Sequence, residues 1–212
     1  MTYFPFMKLR PVFNSIVLAL GFIFVAFIAS SQEHKPEILK GPSNWEFERF
    51  PLPPSFAPQI TYKGFEELRF APGMFKKDSA DYFSYAFVAQ LDTATYLGEK
   101  EIKNYLEYYF KGLCGSTARD RKLSIDTTQV SATVKGRKGG NLYSRLYDAT
   151  VNLFGVFTDG APVKLNMEIL VSNSPKKEKT AAIFIASTQA KDKPIWKTLR
   201  GIRGKALESI NR

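Results

Sequence analysis

Residues 142–171, LYSRLYDATVNLFGVFTDGAPVKLNMEILV, predict the fold because they contain two runs in which apolar and polar residues alternate. Alternation with a period of two is typical of a strand that buries one face. The runs, 142–157 and 163–171, are separated by Asp159-Gly160. This dipeptide is typical of a two-residue hairpin turn, in which both turn residues adopt positive φ. The stretch therefore predicts two antiparallel strands with one face against a hydrophobic core.

Similar patterns on either side of this hairpin predict four more strands. They are expected at 60–70, with a bulge at Gly64, and at 81–91, 130–135 and 181–188. A glycine turn is predicted at 136–140, directly after the third of these strands. The last strand is apolar on both faces, which predicts a central strand that is covered on both sides.

Two segments have the three- and four-residue apolar spacing of amphipathic helices. The first is predicted at 95–113, where Gly112 and Gly115 are candidate stops, and the second begins at Pro194. The order β-β-α-β-β-β-β-α predicts an α+β domain built on a single antiparallel β-sheet of about six strands. The two amphipathic helices are expected to pack on one face of that sheet.

The N-terminus has the pattern of an export signal. Lys8 and Arg10 precede 18 uncharged residues, 12–29, and small residues follow at 29–31. This pattern predicts a signal peptide at 1–31, which places the protein in the periplasm or outside the cell. The alternative is a retained membrane anchor formed by residues 12–29.

The rest of the chain divides at the end of a proline-rich stretch. Residues 36–58 hold six of the 12 prolines, so residues 32–59 are predicted to be an extended arm rather than a helix or strand. Because the arm also carries aromatic residues such as Trp45 and Phe56, we expect it to pack on the domain at 60–212. Exposed, the same residues would instead form a docking strip for a partner.

Composition excludes several chemistries. The chain has one Cys and one His, so an internal disulfide, a Cys/His zinc cluster and a serine protease triad are all excluded. Cys114 lies on an apolar helix face and is predicted to be a buried thiol. No catalytic residue, metal ligand or cofactor is predicted. The formal net charge of +10, which becomes +8 without the leader's Lys8 and Arg10, favours anionic partners such as a glycan or a membrane surface.

A set of short motifs resembles a group of exported bacterial proteins whose activity is uncharacterised. The most distinctive is Glu66-Glu67-Leu68-Arg69-Phe70-Ala71-Pro72-Gly73-Met74-Phe75. The runs SFAP (55–58), YKG (62–64), YFSYAFV (82–88), YYFKGLC (108–114) and PIWKTL (194–199) are also similar to that group. The resemblance covers most of the chain after the leader. It implies an exported envelope protein and brings no activity, ligand or catalytic residue.

Three groups of residues are candidate binding residues. Glu67 and Arg69 share one face of a predicted strand, where a structural ion pair bracing the turn at 72–73 is favoured over acid/base catalysis. The second group projects from the sheet face opposite the core and consists of Asp148, Asn152, Asn166 and Glu168. These residues line a polar pocket, hold a hard cation or are simply solvated. The third group is expected on the basic glycine turn and consists of Lys135, Arg137 and Lys138.

These observations favour a non-catalytic envelope module that binds a ligand or partner. One alternative is a basic protein that binds polyanions or a membrane surface, and no specific nucleic-acid motif is present. The other is a carboxylate-dependent hydrolase, which would need acids that converge in a cleft.

Overall fold

The computed structural model describes residues 38–141, 143–174 and 178–211. In this part of the chain the structure has seven strands and two long helices. The strands are β1 (Glu46–Leu52), β2 (Gly64–Phe70), β3 (Tyr85–Leu91), β4 (Ser131–Asn141), β5 (Ser144–Phe154), β6 (Pro162–Ser174) and β7 (Lys179–Ser187). The helices are α1 (Glu99–Arg121) and α2 (Ile195–Asn211), and a 3-10 turn at Thr127–Gln129 precedes β4.

All seven strands form one antiparallel sheet in the order β1-β2-β3-β7-β6-β5-β4. The sheet is two antiparallel runs, β1 to β3 and β4 to β7, joined where β3 pairs with β7. The α+β class and the single antiparallel sheet are thus confirmed. β7 is the central strand and eight of its nine residues are buried, as its two-sided apolar pattern predicts.

The two helices cover opposite faces of the sheet, so the prediction that both pack on one face is wrong. α1 packs with Phe184 and the inward residues of β5 and β6, whereas α2 packs with Ile183 and Ile185. Neighbouring residues of a strand point to opposite faces, and β7 therefore belongs to two separate cores. We call the two sides the α1 face and the α2 face.

The seventh strand, β1, lies inside the segment predicted to be an irregular arm. Of the prolines in this segment, only Pro51 lies within β1. β1 is an edge strand that pairs with β2 alone. An edge strand tolerates a proline whose missing N–H would have faced away from its neighbour. The sheet consequently begins at Glu46 rather than at Ile60, and the arm packs as part of the domain.

The opposite edge, β4, is protected by side chains from α1. Glu99 Oε1 accepts a hydrogen bond from the backbone N–H of Gly136 (2.7 Å), and Glu107 Oε1 accepts one from Ala132 (3.1 Å). Unpaired edge amides otherwise invite pairing with another chain. The two glutamates therefore satisfy edge groups that the sheet leaves unpaired.

Several predicted boundaries differ from the structure. Helix α1 passes through Gly112 and Gly115 and ends at Arg121, where the positive φ of the capping residue Lys122 closes the helix. The predicted glycine turn is also wrong: Gly136 lies in strand β4 opposite Tyr147, and β4 continues through an irregularity to Asn141. The hairpin between β5 and β6 is confirmed, although its connection is seven residues long, 155–161, rather than two.

The predicted signal peptide and the alternative anchor both lie outside the described residues, as does His34. Neither described helix is both long and apolar enough to cross a membrane.

Candidate functional site

The α2 face is only partly covered, and its uncovered part is polar. α2 packs on β7, β3 and β6 and leaves β4 and β5 open on this side. The strand positions that point outward here include Lys135 on β4, Asp148 and Asn152 on β5, and Lys164 on β6, of which Lys135, Asn152 and Lys164 are exposed. Sheet and helix thus form one continuous polar surface.

A buried carboxylate, Glu168 of β6, lies where this surface meets α2. Arg200 donates to Glu168 Oε1 (2.7 Å) and Arg203 donates to Oε2 (2.7 Å), while the Arg137 guanidinium lies 3.6 Å from Oε2. Burial alone would raise the pKa of Glu168, but the hydrogen bonds and positive charges of Arg200 and Arg203 outweigh it and lower the pKa. Glu168 is therefore a fixed anion that orients three arginines.

Asp148 of β5 extends the same network. It lies directly opposite Glu168 in the strand register, and its Oδ1 accepts a hydrogen bond from Lys191 and lies 3.6 Å from Arg137. Arg137 therefore bridges both acids. The prediction that β5 and β6 bring some of these polar residues together is correct for Asp148 and Glu168.

The two asparagines make other contacts. Asn166 donates to the backbone oxygen of Gln189 (3.3 Å), and Asn152 donates to the hydroxyl of Ser131 (3.3 Å). Cations already neutralise Asp148 and Glu168, so the four residues do not form the set of oxygen ligands that a hard cation needs.

The excess of positive charge is concentrated on the side of the molecule that carries α2. Nine cations and four acids, a net charge of +5, lie on the uncovered strand positions, in the loop before α2 and on α2 itself; we call this surface the basic face. The cations are Lys135, Arg137, Lys164, Lys191, Lys193, Lys197, Arg200, Arg203 and Lys205, and the acids are Asp148, Glu168, Asp192 and Glu208. In contrast, α1 on the other side carries five cations and four acids.

The three basic residues that were predicted to lie together on a glycine turn occupy different positions in the structure. Lys135 and Arg137 belong to the basic face, whereas Lys138 is an exposed residue in the irregular end of β4. Beside them is a shallow, open groove of about 350 Å³, lined by Arg137, Arg145 and Tyr147 among others.

Glu67 and Arg69 hold the N-terminal end of the described chain, residues 38–45, which we call the strap. Both side chains point to the α2 face, which agrees with the prediction that they share one face of their strand. Glu67 Oε2 accepts hydrogen bonds from the N–H groups of Ile38 (3.0 Å) and Leu39 (2.8 Å). Arg69 donates to the backbone oxygens of Leu39 (3.1 Å) and Trp45 (3.0 Å).

The strap covers the part of the α2 face that α2 leaves open near β2 and β3. Ile38, Leu39 and Trp45 are buried there with Val88. Glu67 also pairs with Arg49 of β1 (3.3 Å). The hydrogen bonds and ion pair described for Glu67 and Arg69 therefore fix the strap and β1, whereas the prediction had these residues brace the turn at 72–73.

Removing the Glu67 carboxylate should release the strap. We expect Glu67→Ala to lower the free energy of unfolding by about 2 kcal/mol. Hydrogen bonds to a charged group contribute roughly 1.5–3 kcal/mol each, and the hydration and conformational entropy that the released strap regains offset part of this loss. Hydrogen exchange at Ile38 and Leu39 should accelerate, while β7 amides keep their protection. Glu46→Ala, at an exposed position of β1, is the control. Unchanged exchange at both strap amides would contradict this role.

A second acid, Glu66, faces the opposite way into the core. It is fully buried on the α1 face, where Tyr105 donates a hydrogen bond to Oε1 and Oε2 has no partner within the described chain. Burial raises the pKa of Glu66 to about 8, an effect that the Tyr105 and Tyr109 hydroxyls reduce and Glu48 increases. Glu66 is therefore a neutral acid at pH 7.

This acid is enclosed by tyrosines rather than placed in a cleft. Tyr85, Tyr105 and Tyr109 are all buried around it, whereas Tyr108 is exposed. The cavity beside Tyr105 has a volume of about 10 Å³, the space of roughly one water molecule. Glu66 thus has the protonation state of a general acid but no visible path to a substrate.

Cys114 is buried on the same side of the sheet, as predicted. Its Sγ lies 3.9 Å from the backbone oxygen of Phe154, and burial raises the pKa of the thiol. A thiol in this environment is held in its unreactive form.

No family model matches the chain, and no match was found among curated proteins or solved structures. The resemblance of the 66–75 motif to exported bacterial proteins therefore stays a prediction.

Proposed function

We propose that the protein is an exported, non-catalytic binding module that takes an anionic ligand on its basic face. The observation that carries the proposal is the net charge of +5 on the basic face, organised around the buried Glu168. Charge of one sign on one face attracts partners of the opposite sign and raises their association rate.

The environment of the acids supports binding of anions rather than carboxylate catalysis. Arg200, Arg203 and Arg137 surround Glu168, and Lys191 and Arg137 neutralise Asp148. A carboxylate held in its ionised form by arginines is poorly suited to donate a proton. Glu66, which keeps its proton, lies in the core.

The arrangement also favours a fixed array of donors. Glu168 holds Arg200 and Arg203 through short hydrogen bonds, and planar guanidiniums recognise carboxylates, phosphates and sulfates through paired N–H groups. Because Arg200 stays partly exposed, the N–H groups that bind neither Glu168 nor the backbone oxygen of Lys191 remain available to a ligand. Four lysines, Lys135, Lys164, Lys197 and Lys205, add mobile charges around this array.

Retention on immobilised heparin tests the proposal. The double variant Lys197→Glu/Lys205→Glu changes two exposed residues of α2 and should elute at clearly lower salt than the unmodified protein. Its matched control, Lys100→Glu/Lys111→Glu, makes the same change in net charge on α1 and should elute close to the unmodified protein. Equal losses in the two variants would mean that net charge alone governs retention, and the proposed face would be rejected.

Export is the second part of the proposal, and the leader sequence supports it. Protein expressed from the full-length sequence in a bacterium should be recovered in the periplasmic or membrane fraction. Recovery of the intact chain in the cytosol would contradict it.

A further inference from the structure

We infer that the anionic partner of the basic face is the headgroup surface of a lipid bilayer that contains acidic phospholipids, on which the domain lies with α2 towards the membrane. This inference rests on the proposed function and names its ligand. It follows from the character of α2 and from the lack of stacking groups on the basic face.

The outer side of α2 carries two lysines and two glycines together with one acid, Glu208. Lys197 and Lys205 are exposed on it, and between them Gly201 and Gly204 have no neighbouring atom within 4 Å of where a Cβ would stand. Headgroups can therefore approach the helix backbone between two lysines. Long lysine side chains suit such a surface because they reach headgroups while their stems stay against the protein.

The apolar side of α2 is already used, since Trp196, Leu199, Ile202 and Ile210 are buried against the sheet. Binding by this helix is consequently electrostatic and reversible by salt, without insertion into the hydrocarbon layer. This distinguishes it from an interfacial helix that buries an apolar face in the lipid.

The basic face also lacks the groups that favour single-stranded nucleic acids, which stack their bases on aromatic side chains. The large exposed aromatic residues among the described positions are Phe75, Tyr96, Tyr108 and Tyr143. None of them lies on α2 or at the outward positions of β4 to β6. Lysines and glycines on an open surface suit phosphate headgroups, whose positions are not fixed by a sequence.

Vesicle sedimentation tests this inference with protein expressed from the full-length sequence and used in the form recovered from the cells. The probes are vesicles of equal parts phosphatidylglycerol and phosphatidylcholine, and vesicles of phosphatidylcholine alone. We expect binding to the acidic vesicles only, and its loss as salt rises from about 0.1 M to about 1 M, where the screening length falls to about 3 Å.

The helix variants give the size of the effect. Lys197→Glu/Lys205→Glu should weaken binding to acidic vesicles about 25-fold or more, since each cation near a charged surface contributes roughly fivefold. Lys100→Glu/Lys111→Glu should stay within about twofold of the unmodified protein, because screening is strong across the thickness of the domain. Circular dichroism of both variants checks that they are folded.

Spin labels report the orientation directly. A label at Thr198→Cys on α2 should become protected from an aqueous relaxation agent when acidic vesicles are added, whereas a label at Asn104→Cys on α1 should not. Both positions are exposed, and the native Cys114 is buried. Protection at Asn104 but not at Thr198 would overturn the inferred orientation.

The outcomes separate this inference from the proposed function. Heparin retention that depends on α2, without binding to acidic vesicles, would overturn the membrane surface as ligand and leave the basic face intact as a polyanion site. Equal binding to both kinds of vesicle would also overturn it. If neither heparin nor acidic vesicles distinguish the α2 variant from the α1 variant, the proposed function itself fails.

Discussion

Replacing Glu66 with glutamine should make the protein more stable in neutral and mildly alkaline solution. The pKa of this carboxyl is about 8 in the folded protein and 4.5 when exposed. A folded pKa above the unfolded value means that the contribution is fully present below about pH 4.5 and is lost as the pH rises through 8. Between pH 5 and pH 8, the free energy of unfolding should therefore fall by roughly 3 kcal/mol on account of Glu66.

Urea unfolding from pH 5 to pH 9 measures this loss. Glu66→Gln keeps the size of the side chain and an oxygen for the Tyr105 hydroxyl, but its side chain cannot ionise. The free energy of unfolding of this variant should therefore fall much less as the pH rises. The control is Glu67→Gln, next in sequence but on the other face, which should be less stable at neutral pH because it weakens the contacts with Arg49 and the strap. Parallel curves for Glu66→Gln and the unmodified protein would refute a buried neutral acid.

The local architecture could be predicted from the sequence because alternation reports directly which face of a strand is buried. The two strands β5 and β6 and their antiparallel pairing were predicted correctly for this reason, whereas the position of Asp148 directly opposite Glu168 was not predicted. β7 contained a further signal. Its adjacent residues Ile183 and Phe184 are both buried, and a strand apolar on both sides needs a cover on each side. Because two helices are available to provide these covers, the pattern of β7 predicts one helix on each face of the sheet.

The arrangement around Glu168 could not be predicted to the same degree, because its partners come from distant parts of the chain. Arg200 and Arg203 are three residues apart and therefore share one side of α2, which the sequence does show. The register that brings this side over β6 depends on the packing of Trp196 and Leu199 in the core. A periodicity argument assigns a residue to a face of its own helix, but it does not align that face with a particular residue of another strand.

Glu66 shows a different limit. Glu66 and Glu67 are identical in type and adjacent, and the α1 face buries one while the strap covers the other. Sequence reasoning singled out Glu67 because Arg69 shares its face. It missed Glu66 because the tyrosines that enclose it, Tyr105 and Tyr109, lie 39 and 43 residues further along the chain. Their helical spacing was visible, but their position above β2 was not.

Alanine at Gly112 should be strongly destabilising, although glycine to alanine in a helix usually stabilises by up to about 1 kcal/mol. A Cβ at this position would lie 2.0 Å from the backbone oxygen of Phe56 and 2.8 Å from its carbon. Atoms cannot approach so closely, so the segment after β1 would have to move away from α1. The close approach of Phe56 explains why a glycine occupies this interior position of α1.

The displacement should also disturb the rings around that contact. Phe56 packs edge-on against Tyr109 with ring centroids 5.1 Å apart, and Phe50 of β1 packs on Phe56. We expect Gly112→Ala to lower the free energy of unfolding by about 3 kcal/mol, the upper end of typical overpacking costs. Urea unfolding of this variant and the unmodified protein at the same pH measures this change, because the contribution of Glu66 is then common to both and cancels.

Gly115→Ala is the matched control, three residues further along the same helix. The nearest atom to a Cβ there is Thr127 Cγ2 at 3.6 Å, an ordinary contact, so this variant should be as stable as the unmodified protein or up to about 1 kcal/mol more stable. The opposite signs of the two variants are the test, because helix propensity alone predicts the same gain at both positions. A gain at Gly112 as well would mean that the segment around Phe56 yields easily, and the close packing of α1 on that segment would then contribute little to the fold.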